Sequence, residues 1–171
     1  MESVNLDDIL TGSLCVIDTN VLLYAEQGKS GQAQRLLRRC SKGELIGVLP
    51  QTVWQELTHK LMLTEAIMKG VVSGANPAAR LADKPDVVRG LRLYQAKVRS
   101  LVDLGLRFER CTLEDLLQAA FELQRRYGLL TNDSVVLAVA LRLDADCLVS
   151  SDKALRQITD IDVLAPSDLQ V

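Results

Sequence analysis

The chain has 171 residues, which is enough for one domain with a substantial buried core. Its residues are 48% hydrophobic and 25% charged, as in ordinary globular proteins, and no apolar run in it is long enough to cross a membrane. Twenty basic and twenty-two acidic residues give a net charge of −2, which excludes a generally basic surface for binding nucleic acid.

The amino-terminal residues and the cysteines predict a cytoplasmic protein. No basic segment precedes the first apolar run, so the sequence does not predict a signal peptide. The four cysteines are scattered and none forms a C-x-x-C pair. This spacing favours buried, reduced thiols over disulfide bonds or a zinc site.

The first third of the chain alternates short apolar runs with helical patterns. Residues 14–17 (LCVI) predict a buried strand that ends at Asp18. Two helices are predicted at 21–27 and 31–43, and a second strand at 46–49 is closed by a proline.

In the middle third, a helix is predicted from Thr52, as its N-cap, to residue 68. Residues 70–86 contain two glycines and two prolines and predict a loop or a short broken helix. A long helix at 87–105 and a third strand at 107–111 are predicted to follow.

The last third begins with Thr112 and Asp115, which resemble a capping box that opens a helix through residue 127. The next helix, at 133–143, is apolar on nearly every side, which predicts that it is buried. The remaining residues predict a strand at 147–150, a short helix from Asp152 and a final strand at 162–165. This alternation predicts a single α/β domain over 1–171 with a mostly parallel sheet.

Four acidic residues fall near the edge of the sheet where ligands bind in such folds, beyond the carboxyl ends of the strands. Asp18 directly follows the first strand, Glu56 lies early in the helix after the second strand, and Asp152 follows the fourth strand. Asp133 opens the preceding helix and joins the others only if the fold brings it there. Each aspartate alone has a structural interpretation as a helix cap, whereas an unpaired Glu56 beside a buried stripe would be costly.

Four carboxylates in one pocket are a ligand set that hard divalent ions prefer. Mg²⁺ takes oxygen ligands and keeps several waters, and two such ions ~4 Å apart can clamp the attacking and leaving oxygens of a phosphodiester. Four carboxylates also balance two divalent ions in charge. We therefore predict a nuclease site that holds one or two Mg²⁺ or Mn²⁺ ions, at Asp18, Glu56, Asp133 and Asp152.

Four segments, in this order along the chain, resemble the PIN-domain family: IDTNVLL at 17–23, PQTVWQEL at 50–57, TNDSVVLAVA at 131–140 and LVSSDKAL at 148–155. The resemblance implies a three-layer α/β/α sandwich with a central, mostly parallel sheet of about five strands. It also implies Mg²⁺- or Mn²⁺-dependent cleavage of RNA at the four acids, with Asn20 and Ser150 as supporting polar residues.

Compact members of this family are similar to VapC-like toxins, so the resemblance also implies an antitoxin partner. Two alternatives remain open at this point. The same metal site could act on structured DNA, or the fold could serve as a non-catalytic nucleic-acid-binding or assembly module. A non-catalytic module would be expected to have lost one or more of the acids, and here all four are present.

Two surface features allow a functional and a structural interpretation. Arg35, Arg38, Arg39 and Lys42 share one helix face, which is either a solvated face or an RNA-binding rim. The apolar stripe of the predicted helix at 87–105 is a candidate contact for a second copy, because two-fold homodimers are the commonest oligomers.

Overall fold

The computed structural model describes residues 5–169, which form a central sheet of five parallel strands. The strands are β1 (Leu14–Ile17), β2 (Ile46–Pro50), β3 (Arg107–Glu109), β4 (Cys147–Val149) and β5 (Asp162–Leu164). Their order across the sheet is β3-β2-β1-β4-β5. The strands β1, β2 and β4 occupy the centre and are almost wholly buried, as their continuous apolar runs predict.

Eight α-helices connect the strands within the described residues. They are α1 (Thr19–Glu26), α2 (Gly31–Ser41), α3 (Gln51–Met68), α4 (Pro77–Ala82), α5 (Pro85–Gly90), α6 (Leu93–Asp103), α7 (Ala120–Tyr127) and α8 (Thr131–Arg142). None of these helices has both the length and the apolarity that crossing a bilayer requires.

The helices cover both faces of the sheet. Crossovers between parallel strands are right-handed, and the first two step outward from β1 to β2 and β3, whereas the third returns across the sheet to β4. Consequently α1 to α6 lie on one face, where α1 packs on α2 and α3, and α7 and α8 pack together on the other. The predicted three-layer α/β/α fold with a parallel sheet is therefore confirmed.

The helix α8 is the most deeply embedded, as its apolar pattern predicts. Every residue from 134 to 140 is buried. The helix before it begins at the predicted capping box, in which the Thr112 and Asp115 side chains each accept the other's backbone N–H, at 3.1 and 2.8 Å. Its first turns, Asp115–Ala119, are π-helical before they continue as α7. Gly128 ends it with a φ of 68°, which glycine adopts without strain.

The prediction of one long helix at 87–105 is wrong. The chain forms α5 and α6, separated by extended backbone at Leu91. The side chain of Leu91 is only 1% exposed, because it enters a small second core with Ala66, Val72 and Leu81. Burial in this core therefore overrides the continuous helical spacing. The segment predicted as a loop or broken helix contains α4 and the start of α5, each opened by a proline.

Several predicted boundaries also shift by a few residues. The first helix begins at Thr19, with Asp18 as its N-cap, and α3 begins at Gln51, so Thr52 is not a cap. The strand predicted at 107–111 ends at Glu109, and the short helix predicted from Asp152 is a 3-10 turn at Leu155–Gln157.

Candidate functional site

The predicted crevice lies where β1 and β4 end side by side. From β1 the chain leaves toward β2, and from β4 it leaves toward β5 on the other side, which makes this the topological switch point of the sheet. Asp18 is the first residue after β1, and Ser150 is the first after β4. Two of the predicted acids, Asp18 and Asp152, therefore enter the same crevice from neighbouring strands.

Asp18 is nearly enclosed, with 7% of its surface exposed. One carboxylate oxygen accepts the backbone N–H of Thr19 at 2.6 Å. The other accepts the hydroxyl of Ser150 at 2.6 Å and the amide of Asn20 at 2.8 Å. Burial raises the pKa of Asp18 above its ordinary value, and the charges of Glu56 and Asp152 add to this, although the hydrogen bonds oppose it.

Asn20 and Ser150 join the two loops at the crevice. The Ser150 hydroxyl accepts hydrogen bonds from the Asn20 amide and from the backbone N–H of Asp152, both at 3.1 Å. The side-chain oxygen of Asn20, Oδ1, accepts the backbone N–H of Ser151 at 3.1 Å. These bonds hold the loop after β4 against the start of α1. The two residues thus position the Asp18 carboxylate and the backbone of Asp152.

Glu56 reaches the site from the second turn of α3. One of its carboxylate oxygens accepts the hydroxyl of Thr19 at 3.2 Å. The other pairs with the ammonium of Lys60, one turn further along α3, at 2.6 Å. The Glu56 side chain is 29% exposed, so the ion pair faces the open side of the pocket.

Asp133, whose position depends on the fold, also lies with the other acids. It is half-buried in the first turn of α8, which is tied to the start of α3 by a 3.3 Å hydrogen bond between Thr52 and Asn132. Burial, followed by the charges of Asp152, Asp18 and Glu56, raises the pKa of Asp133 to about 6. The charges of the other three acids therefore reach Asp133.

The donor set suits a hard divalent cation, although it is not closed around one. Carboxylate oxygens are the ligands that Mg²⁺ and Mn²⁺ prefer. A bound cation would also stabilise these carboxylates, because they are partly buried and repel each other. Among residues 5–169, however, no three acidic, histidine or cysteine side chains already stand close enough to share an ion. Both oxygens of Asp18 accept hydrogen bonds, and Glu56 is held by Lys60. Binding a metal therefore requires side-chain rearrangement.

The basic face of α2 lies far from this pocket. The C-terminal turn of α2 leads into Glu44, whose carbonyl accepts the N–H of Gly12 beside the amino end of β1, whereas the acids lie at the carboxyl ends. The separation is about one strand length, roughly 15–20 Å. Arg35 forms a two-bond pair with Asp7, and Arg39 pairs with Glu44. Arg38 and Lys42 are exposed.

Two residues of the site were missed by the sequence analysis. Lys60 and Thr19 both contact Glu56, and neither belongs to the predicted set. The signal for Lys60 was available in QELTHKL, since a glutamate followed four residues later by a lysine forms an ion pair on a helix. No comparable signal marks Thr19, because its contact with Glu56 spans two different elements.

A parallel sheet with helices on both faces and acidic side chains at its switch point is the architecture of an α/β domain that binds its ligand beyond the carboxyl ends of the strands. The family model described as "PIN domain" matches residues 15–161. The chain therefore belongs to the PIN-domain family, and this membership supports a nuclease. No curated protein matches the sequence significantly.

Three solved structures of similar fold are described as toxins or toxin–antitoxin complexes. VapBC2 from Rickettsia felis, bound to a promoter DNA fragment, superposes with a TM-score of 0.57 at 15% identity and covers 89% of this chain and 98% of its own. A toxin–antitoxin complex from Klebsiella pneumoniae gives 0.58 at 16% identity, with 91% and 99% covered. VapC20 of Mycobacterium tuberculosis, a sarcin–ricin-loop-cleaving toxin, gives 0.52 at 11% identity, with 86% and 98% covered. At these identities the likeness shows the fold alone.

Proposed function

We propose that this protein is a Mg²⁺- or Mn²⁺-dependent endoribonuclease. The observation that carries the proposal is that Asp18 and Asp152 follow the adjacent strands β1 and β4, and that the charges of Asp18, Glu56 and Asp152 act on Asp133, in a chain of the PIN-domain family. The raised pKa values of Asp18 and Asp133 support it, because carboxylates that repel each other in a pocket are stabilised by a bound cation.

In this proposal the four carboxylates hold one or two ions and the protein shapes the pocket around them. The ions supply a Lewis acid beside the phosphodiester and an activated water. Ser150 and Asn20 keep the Asp18 carboxylate turned into the crevice, and the backbone N–H of Ala154 holds Asp152 at 2.7 Å. Hydrolysis then adds a water oxygen to phosphorus while the bond to the leaving sugar oxygen breaks.

A cleavage assay on a pool of structured RNAs tests this function. We expect fragments with Mg²⁺ or Mn²⁺ and none with EDTA. The same assay on structured DNA tests the second substrate. Cleavage of DNA but not RNA would replace the proposed substrate, and no cleavage of either, in protein that binds Mn²⁺, would favour the non-catalytic alternative.

The finer proposal is a toxin that an antitoxin protein holds inactive. It is supported by two structural neighbours described as toxin–antitoxin assemblies and a third described as an RNA-loop-cleaving toxin. The four cysteines are unpaired, in keeping with the proposed cytoplasmic location.

The polar character of the site implies that the RNA backbone, rather than stacked bases, is the main point of contact.

We also propose a homodimer, but through a different surface from the predicted stripe. In the segment 87–105, Leu91 and Val98 are buried in the chain's own core, which leaves Val102, at 57% exposed, as the accessible part of that stripe. More exposed apolar side chains lie on the segment that leads into α8, and we propose that they form one patch. They are Leu113, Leu116, Leu117, Phe121 and Leu130, which are 43 to 77% exposed.

The charges beside this patch suit a second copy of the same chain. Glu114 and Arg125 are exposed and lie at opposite ends of the helical segment that carries the patch. If two copies pack antiparallel about a two-fold axis, Glu114 of each lies beside Arg125 of the other. Since Leu130 precedes α8, this arrangement would also bring the two acidic pockets to neighbouring positions.

Charge exchange tests the dimer. We expect Glu114→Arg and Arg125→Glu each to weaken dimerisation about tenfold, because like charges then meet across the axis, and the double variant to restore most of it. Sedimentation velocity at micromolar concentrations measures the change. Leu10→Lys, at an exposed leucine outside the patch, is the control. A monomeric wild type, or a double variant no better than the single ones, contradicts the proposal.

A further inference from the structure

The feature that the proposed function leaves unexplained is a lysine paired with one of the four acids. The ammonium of Lys60 lies 2.6 Å from a carboxylate oxygen of Glu56, and the side chain is 46% exposed. Its charge also acts on Asp133, whose pKa it lowers against the effects of burial and the other acids. Lys60 is therefore the positive charge that stands among these acids, with nearly half of its side chain open to solvent.

The position of Lys60 matters because it controls Glu56. Of the two Glu56 oxygens, one is paired with Lys60 and the other accepts the Thr19 hydroxyl. The ammonium is the positive charge that neutralises Glu56 in this arrangement. A divalent ion that takes Glu56 as a ligand must therefore compete with Lys60, and the ammonium must then move to another partner.

We propose that Lys60 pairs with Glu56 until a divalent ion binds. The ammonium of Lys60 then forms an ion pair with a phosphate oxygen of the RNA instead. This inference rests on the proposed function. The lysine side chain is long, flexible and half-exposed, so it can turn from Glu56 to a ligand without unfolding α3. A phosphate that arrives at the metal-filled site brings a new negative charge within reach of the released ammonium.

The first test measures metal binding without RNA. Lys60→Met keeps the length and apolar stem of the side chain and removes its charge. We expect the variant to bind Mn²⁺ about three- to tenfold more tightly in isothermal titration calorimetry, because the competing cation is gone. Lys60→Arg, which keeps the charge, should stay within about twofold of wild type.

The same helix offers a matched control. Lys69 pairs with Glu65 at 2.7 Å with the same four-residue spacing and a similar exposure of 49%, but on the part of α3 remote from the pocket. Lys69→Met should leave the Mn²⁺ affinity unchanged. A change equal to that of Lys60→Met would show a general charge effect and overturn the inference.

The second test measures kcat and KM for RNA cleavage at several salt concentrations. We expect Lys60→Met to raise KM more than it lowers kcat and to reduce the salt slope by about 0.7, the value for one lost contact to single-stranded phosphate. Equal or weaker Mn²⁺ binding in Lys60→Met, or an unchanged salt slope, overturns the inference while wild-type cleavage still supports the proposed function. Wild-type protein that neither binds Mn²⁺ nor cleaves RNA overturns both.

Discussion

Asp18→Asn is expected to reduce metal-dependent RNA cleavage about a thousandfold. The substitution keeps the shape of the side chain but removes a charged oxygen ligand, and a ligand that supports several kcal/mol of transition-state stabilisation corresponds to an effect of that size. Thermal melts give an independent readout. Added Mn²⁺ should raise the melting temperature of the wild type by mass action and that of the variant much less.

The stability of metal-free Asp18→Asn reflects two opposing effects. Burial, together with the charges of Glu56 and Asp152, raises the pKa of Asp18 in the folded protein. The free energy of unfolding therefore falls as the pH rises through that pKa. The uncharged asparagine side chain of the variant avoids this loss at pH 7. Against this, asparagine has one acceptor oxygen for the three donors that Asp18 satisfies, and each lost bond costs about 1–3 kcal/mol. We expect the two effects nearly to cancel.

Asp103→Asn, at an exposed aspartate that ends α6, is the control and should retain cleavage and the full metal response. The same pair tests the toxin proposal in cells. Induced wild-type protein should arrest bacterial growth and Asp18→Asn should not. Retention of both cleavage and metal stabilisation by Asp18→Asn would mean that the acids are structural caps.

Glu65→Ala is expected to cause the largest loss of stability, about 3 kcal/mol, and to lower the melting temperature by roughly 6–12 °C. Glu65 is 2% exposed, and its carboxylate accepts the backbone N–H groups of Arg92 and Tyr94 at 3.0 and 2.9 Å. The helix α6 has no side-chain cap of its own, so a residue of α3 caps it. Removing Glu65 leaves these donors without a protein acceptor and opens a cavity.

The pH dependence of this effect has a definite sign. Burial alone would raise the pKa of Glu65, but the ion pair with Lys69 and the N–H groups of Tyr94 and Arg92 lower it to about 2, from an ordinary 4.5. A lowered pKa stabilises the fold above pH 4.5, and this contribution is lost as the pH falls toward 2. Denaturant unfolding should therefore show the gap between wild type and Glu65→Ala shrinking over that range. Glu122→Ala, at an exposed site on α7, should show no such gap.

Much of the fold was predictable because its signals are local. Apolar runs such as LCVI identified the central strands, and the Thr112–Asp115 pair identified a helix start. The break at Leu91 was not predictable from spacing, because a leucine there fits a helical stripe as well as it fits the small core that it enters. The sequence also does not show that β1 lies between β2 and β4, because the crossovers decide which strands become neighbours.

For the site, the sequence by itself determined which acids are available and that Asp18 and Asp152 follow strands, because strand ends are visible in hydrophobic patterns. The tertiary structure alone decided that Asp133 comes within electrostatic reach of them, and that the basic face of α2 lies at the opposite edge of the sheet. It also decided that the charge of Lys60 acts on Asp133 as well as on Glu56, its neighbour on the helix. The reason is that periodicity reports contacts within one element, whereas the pocket is assembled by crossovers that join residues more than a hundred positions apart.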